Sequence, residues 1–488
     1  MEKILDSIVG FLWGLPLIIT ILFTGFYFTF GSKFFQFRYF GHIMSQTFFK
    51  LFQKSKEEEN VSKGIISPLE AVSTAIGGSV GVGNMGGVAT AIAVGGPGAV
   101  FWMWLMALIG MLIKTAEVTL AVYYRNTDEE GNPYGGPTYY MEKGLGEERN
   151  FKFWIIPAII FGLGIFSTFP ITLQNYTVSE AVSSTFNISM VSVAIVYVIV
   201  NYFMILGGIK HLGKIASKIV PIMCLFYILS ALFIILKNAS LIPSTFALIF
   251  SSAFKGTAAI GGFAGVTTAQ VIRLGISRSV FSNEAGWGTS PMIHSTAKTD
   301  HPIKQGLWGG FEVFIDTMVV CTVTALLIII TGEWSSGLSG ATLTLTAFES
   351  GVGTIGRQIV AIGTFLFGIT TSSGWYSYYE IILRHSLKEK VQLKNNILKF
   401  YKAIYPFPGL FMVLYAVKNG LPGKYVWYFA DITSAIPTFA NVFAILLLSG
   451  TFFKLLKDYK ARYLGIGKVD PNFRLFYEDL QKSKSTHM

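Results

Sequence analysis

Eleven stretches of this chain run for about twenty residues with almost no charged side chain, and that pattern leaves few folds open. They cover 8–30, 68–94, 98–123, 154–182, 190–207, 215–236, 256–277, 307–331, 355–384, 403–417 and 425–453. About twenty apolar residues in a helix span the hydrocarbon core of a bilayer. Only 13% of the 488 residues are charged, against roughly 25% in a soluble domain. The pattern therefore predicts an all-α polytopic membrane protein with eleven transmembrane helices. The first run is long enough to span and has no small-residue cleavage site after it, so it is expected to stay as a helix.

The basic residues test this reading independently of hydropathy. The net charge is +11, which in a soluble protein would suggest nucleic acid. Here 31 of the 38 Lys and Arg fall in alternate loops and the C-terminal tail, six fall on the other side, and Lys114 lies within a span. That asymmetry follows the positive-inside rule and predicts an outside N-terminus and a cytoplasmic C-terminus. Topology then accounts for the charge, and a nucleic-acid partner is not needed. The two cysteines, Cys224 and Cys321, sit inside apolar runs, which argues for packing and against a disulfide framework or a thiolate metal centre. The outer segment 332–354, rich in Gly, Ser and Thr, reads as a loop, with a gate as the alternative.

Residues 77–87 contain six glycines in eleven positions in the middle of a spanning run. Each costs roughly 0.8–1 kcal/mol relative to Ala in a helix interior, so a break at mid-membrane is expected. The backbone groups freed by a break must be satisfied by protein or by a water-lined cavity. The carbonyls that end the first half attract a cation, and the N–H groups that begin the second half attract an anion. Asn84 and Ser79 add an amide and a hydroxyl. Close helix packing could account for some of these glycines. Gly81–Gly86 also matches GxGxxG, but no strand precedes it and no acidic residue follows about 20 positions later. A second glycine-interrupted run, 256–268, lies about half a chain further on. Interrupted segments in corresponding halves point to a secondary transporter built from an inverted repeat. Spans two to six and seven to eleven would form its two five-helix units.

Other polar positions carry two readings each. Thr370, Thr371, Ser372 and Ser373 put four hydroxyls at membrane depth, where they either serve a cation or bond back to their own helix. Gln174 and Asn175 face a cavity, a substrate or another helix. Lys114 and Glu117 are three apart and are expected to pair as structure. Glu312 and Asp316, four apart near an inner helix end, read as solvated capping groups, with a proton relay or a cation path as the alternative. No HExxH, Walker or hydrolase constellation appears, so an enzyme is not expected.

Gly95-Gly96-Pro97-Gly98-Ala99-Val100-Phe101-Trp102-Met103-Trp104 and Phe281-Ser282-Asn283-Glu284-Ala285-Gly286-Trp287-Gly288 resemble signatures of the sodium:alanine symporter family, the alanine/glycine:cation symporters. Val80-Gly81-Val82-Gly83-Asn84, Gln174-Asn175 and Gly374-Trp375 follow in matching order. The resemblance spans nearly the whole chain.

It implies the five-plus-five inverted repeat of the amino acid–polyamine–cation superfamily, similar to the bacterial leucine transporter, with discontinuous helices and one extra N-terminal helix. The parts would be 1–66 (extra helix and cytoplasmic loop), 67–236 and 237–455 (the two repeats) and 456–488 (cytoplasmic tail). It implies sodium-coupled uptake of alanine or glycine across the cell membrane, without an organic cofactor or an obligatory protein partner. The carbonyls of Gly77 and Val80 with the hydroxyls of Thr370 and Thr371 would hold one Na⁺. Ser79, Asn84 and Thr267 would contribute to a second. The amides of Val82 and Gly83 would receive the substrate carboxylate beside Ser79, Gly81 and Asn84. Gln174, Gly262, Phe263 and Trp375 would line the pocket. The alternatives are proton coupling, which would favour a carboxyl or His near mid-membrane that this residue set lacks, and a receptor or channel.

Overall fold

The computed structural model describes residues 2–52, 64–81, 83–170, 173–255, 266–420 and 423–479. Among them the protein is helical apart from one antiparallel pair of two-residue strands, Asn126–Thr127 and Pro133–Tyr134. Seven helices are long and apolar enough to cross a membrane, and shorter apolar helices include Ile155–Ser167 and Met190–Ile205. Their faces are sorted as a lipid solvent demands. Gly208–Lys237 turns Ile222 (70% exposed) and Phe233 (63%) outward while Val220, Met223 and Tyr227 pack inward. Ala99–Tyr123 runs through the centre, with every residue from Ile109 to Tyr123 buried. Both cysteines are buried and free.

The expected break is present. Ser67 and Glu70 form a reciprocal capping box and Pro68 occupies the first turn, so Pro68–Ser79 starts cleanly. It stops at Val80, whose backbone is extended (ψ 104°). A π-helical turn, Gly83–Gly87, then leads into Val88–Gly95. None of the described glycines in 77–87 has a positive φ; at two contacts here a side chain has no room. A Cβ on Gly374 of the long helix Thr354–Ser386 would lie 3.0 Å from Gly78 Cα, so the two backbones touch there. A Cβ on Gly81 would collide with the Thr371 hydroxyl oxygen. The packing role of glycine and the break thus coexist.

Three segments depart from the sequence expectation. The 154–182 run is two helices, Ile155–Ser167 and Leu173–Phe186, with Pro170 between them where a ring removes a donor. The run expected over 256–277 appears as Thr268–Asn283, preceded by a separate helix, Ile242–Lys255, too short to register as a span. Residues 256–265, with Gly262 and Phe263, and Val82 lie outside the described residues. The segment 332–354, expected as a loop, contains the helix Gly340–Val352. Its buried Thr344 hydroxyl donates to the Met85 carbonyl at 2.9 Å, so this segment rests on the break itself.

Candidate functional site

The upstream half of the broken helix meets the long helix through neutral groups. The Thr371 hydroxyl donates to the Gly77 carbonyl at 3.0 Å. The other hydroxyls of the run are used elsewhere. Thr370 donates back to the carbonyls of Leu366 (3.1 Å) and Phe367 (2.9 Å), and Ser373 to Ile369 (2.8 Å). Ser372 meets the Tyr197 hydroxyl at 2.6 Å. The structure therefore brings Gly77 and Thr371 together, with Thr370 one residue away and turned to its own helix. The Val80 N–H donates to Ile76 and the Ser79 hydroxyl donates weakly, at 3.4 Å, to the same carbonyl.

The downstream half is anchored by charge. Asn84 accepts from the Gly81 N–H through Oδ1 (2.8 Å) and donates through Nδ2 to Asp316 Oδ1 (2.7 Å). Asp316 Oδ2 accepts from Ser282 (2.8 Å) and Thr317 (2.7 Å). A π-helical turn, Phe314–Cys321, interrupts the helical run 302–330 at Asp316, the kind of bulge that recurs at functional sites. Thr267 is not part of this cluster; it is exposed and caps Thr268–Asn283 through Gln270.

The expectation of solvated caps at Glu312 and Asp316 fails, because the 302–330 run continues through the protein interior and both residues are 0% exposed. Glu312 meets Lys114 Nζ at 3.8 Å and His294 Nε2 at 3.1 Å. Lys114 also donates to Ser290 (2.7 Å). Glu117 accepts from the Gly286 N–H (3.2 Å) and from Asn441, so the expected Lys114–Glu117 pair is replaced by longer-range partners.

Between the two anchors lies a cavity of about 40 Å³. At roughly 10–15 Å³ for each enclosed water, it holds about three, the size of a very small solute. Ser79, Gly83, Gln174, Thr371 and Trp375 line it, as do Phe281, Glu284 and Trp287. Asn175 does not; its Oδ1 accepts from Ser179 at 3.0 Å. The last three lining residues belong to the 281–288 motif, which sequence reasoning used only as a family signature. A glutamate in an otherwise uncharged stretch next to Asn283 was the available signal. Glu284 follows Thr268–Asn283 in the left-handed conformation (φ 55°).

At one end of the bundle, four ion pairs join segment 126–148 to residues 384–394, which are the end of the long helix, the turn after it and the start of the next helix, Val391–Ile404. Glu142 meets Lys388 (2.5 Å) and His385 (3.0 Å), Asp128 meets Arg384 (3.5 Å), and Glu129 meets Lys394 (2.7 Å). Burial raises the Glu142 pKa, but the hydrogen bonds and charges of His385 and Lys388 outweigh it and hold the group at about 2. Among the described residues no cluster of three or more His, Cys, Asp or Glu could chelate a metal ion. The oxygens around the break are of the kind that suit a hard monovalent cation.

A helix broken at mid-bundle, opening on a small cavity inside a lipid-facing fold, is the arrangement of a membrane transporter. The solved structure of MhsT in complex with L-phenylalanine has a similar fold, with a TM-score of 0.57, 16% identity, and coverage of 82% of this chain and 97% of that one. The chain belongs to the sodium:alanine symporter family, whose model matches residues 1–473. It is 36% identical to the sodium/alanine symporter AgcS of Methanococcus maripaludis over 92% of this chain and 95% of that protein. It is 35% identical to the amino-acid carrier protein AlsT of Bacillus subtilis over 97% and 96%. It is a multi-pass secondary transporter and not an enzyme.

Proposed function

We propose that this protein couples Na⁺ entry to uptake of a small neutral amino acid, alanine or glycine, across the cell membrane by alternating access. The observation that carries this reading is the Gly77–Thr371 contact at the edge of a cavity large enough only for a very small solute. A Na⁺ bound there replaces the Thr371 hydrogen bond with direct ligation by the Gly77 and Val80 carbonyls and the hydroxyls of Thr371 and, after a rotamer change, Thr370. A second ion uses the Ser79 carbonyl and the Asn84 side chain, beside the negative charge of Asp316. The Gly83 amide takes the substrate carboxylate, with Gln174 and Trp375 bounding its side chain. Eleven spans, with repeats over 67–236 and 237–455, put the N-terminus outside and the C-terminus in the cytoplasm. Names among the relatives that mention sodium, alanine and amino acids support the substrate and ion.

Proton coupling is the second reading, and Glu284 is the observation that favours it, because it gives the cavity the buried carboxyl that the predicted site lacks. Purified protein in liposomes tests both. Concentrative uptake of labelled alanine under an inward Na⁺ gradient, absent with equal K⁺ or with an H⁺ gradient alone, is the expected result. Uptake driven by H⁺ alone overturns the Na⁺ assignment.

A further inference from the structure

Four carboxylates are buried around the break and the cavity: Glu117, Glu284, Glu312 and Asp316, each at most 2% exposed. The interior offers them one lysine, Lys114, also fully buried. Charge removed from water must be paired or hydrogen-bonded to be tolerated. Three of the four have more than one protein group beside them, although Glu312 Oε1 makes no hydrogen bond and only faces Lys114 at 3.8 Å. Glu312 has Lys114 and His294, Glu117 has Asn441 and the Gly286 N–H, and Asp316 has Asn84, Ser282 and Thr317. Glu284 differs: the Thr289 hydroxyl donates to Oε2 at 2.5 Å, and no described group bonds to Oε1. It is also the one of the four that lines the cavity. Its left-handed backbone and the Thr289 bond hold the carboxyl in place, and Oε1 is left open to whatever fills the cavity.

The cavity has a complementary donor. The Trp287 indole N–H, three residues on, is buried and has no hydrogen-bond partner among the described residues, and its ring also lines the cavity. An acceptor oxygen without a partner and an unpaired donor on one short turn match the two ends of a zwitterion.

We propose that Glu284 is the receptor for the α-ammonium group of the substrate and the residue that restricts the site to amino acids over other small carboxylates. The assignment rests on the amino-acid symport reading above. A charge-assisted N–H···O⁻ bond in a closed site is among the stronger polar contacts available. Lactate and propionate share the carboxylate and size of alanine but lack the ammonium, so they would leave Glu284 unpaired in a filled cavity.

The test uses the full-length protein in liposomes under a Na⁺ gradient. For the unmodified protein, excess lactate and propionate should leave alanine uptake unchanged, while glycine competes. Glu284→Gln keeps the shape and the bond from Thr289 but removes the charge; it should raise the alanine KM about tenfold or more. The stabilisation by Na⁺ alone, read as a thermal shift without substrate, should stay as in the unmodified protein. Competition by lactate equal to that by glycine overturns the proposal without any variant. A KM within about twofold of the original overturns it, as does loss of the Na⁺ thermal shift, which would make Glu284 an ion ligand. So does a variant that binds alanine normally but no longer accumulates it, which would make Glu284 a coupling group. If the unmodified protein itself accumulates no alanine, the symport reading fails first.

Discussion

The two ends of the helix break are held in opposite ways. Upstream, Gly77 meets Thr371 through one neutral hydrogen bond, and the carbonyl keeps a free lone pair. Downstream, Asn84 is locked to Asp316, a carboxylate that already accepts three bonds. A neutral, under-bonded junction can gain a cation without stranding a charge when the cation leaves. A fully bonded carboxylate cannot lose a partner cheaply. The first end therefore suits a transient ligand, and at the second the Asn84–Asp316 contact is a brace that holds the Asn84 amide oxygen toward the proposed second ion.

Removing the brace should have the largest effect. Asp316→Ala takes the carboxylate from Asn84, Ser282 and Thr317, leaving Asn84 and Ser282 with weak contacts to Cys321 Sγ (3.3 and 3.2 Å), at about 1–3 kcal/mol for each bond lost. The expected outcome is a sharp fall in the denaturation temperature and in the yield of folded protein, with Asp316→Asn recovering much of both. An Ala variant as stable as the original would show that the downstream end is not braced by charge. Thr371→Ala should raise the Na⁺ concentration for half-maximal uptake about tenfold with maximal rate less affected. Thr370→Ala removes a hydroxyl that bonds only within its own helix and to Met223 Sδ at 4.0 Å, and should shift it less. Equal shifts in the two variants would erase the distinction between these neighbours.

The smallest effect concerns pH. With Glu142 held at about 2, below the ordinary value near 4.5, its ion pairs add stability that is complete above pH 4.5 and is lost as pH falls toward 2. Between pH 5.5 and 8 neither the thermal stability nor the rate should show an inflection from Glu142. Glu142→Gln should lower stability throughout that range, which thermal denaturation at several pH values would check.

Local features of this molecule were legible in its sequence. Six glycines within a spanning run marked the stretch 77–87 in which the helix ends, at Ser79, because glycine disfavours a helix whatever surrounds it. The hydroxyl run at 370–373 was placed in the buried interior, though which hydroxyl reaches the break depends on helix rotation. Contacts between distant segments were not legible. Asn84 and Asp316 are 232 positions apart, and their meeting needs the π-helical turn at 314–321. Glu312 and Asp316 looked solvated because an end-of-span position was inferred from hydropathy, which cannot register a helix continuing through the interior. Glu284 was quoted in a motif and given no role, since a lone acid reveals its missing partner only when its neighbours can be counted.

The touching backbones of Gly78 and Gly374 have a mechanical meaning. The long helix extends twenty residues to one side of that contact and twelve to the other, roughly 30 Å and 18 Å at 1.5 Å per residue. With no side chains between the two rods, the contact is a fulcrum. A tilt of about 10° there swings the ends by roughly 5 Å and 3 Å, while Thr371, less than one turn away, moves by a fraction of an ångström. One arm ends at the ion-paired cluster of Arg384 and His385, the other at the turn before Thr354. Small rotations about this contact would become opposed displacements at the two ends of the helix, with Thr371, the proposed ion ligand, placed where the lever moves least.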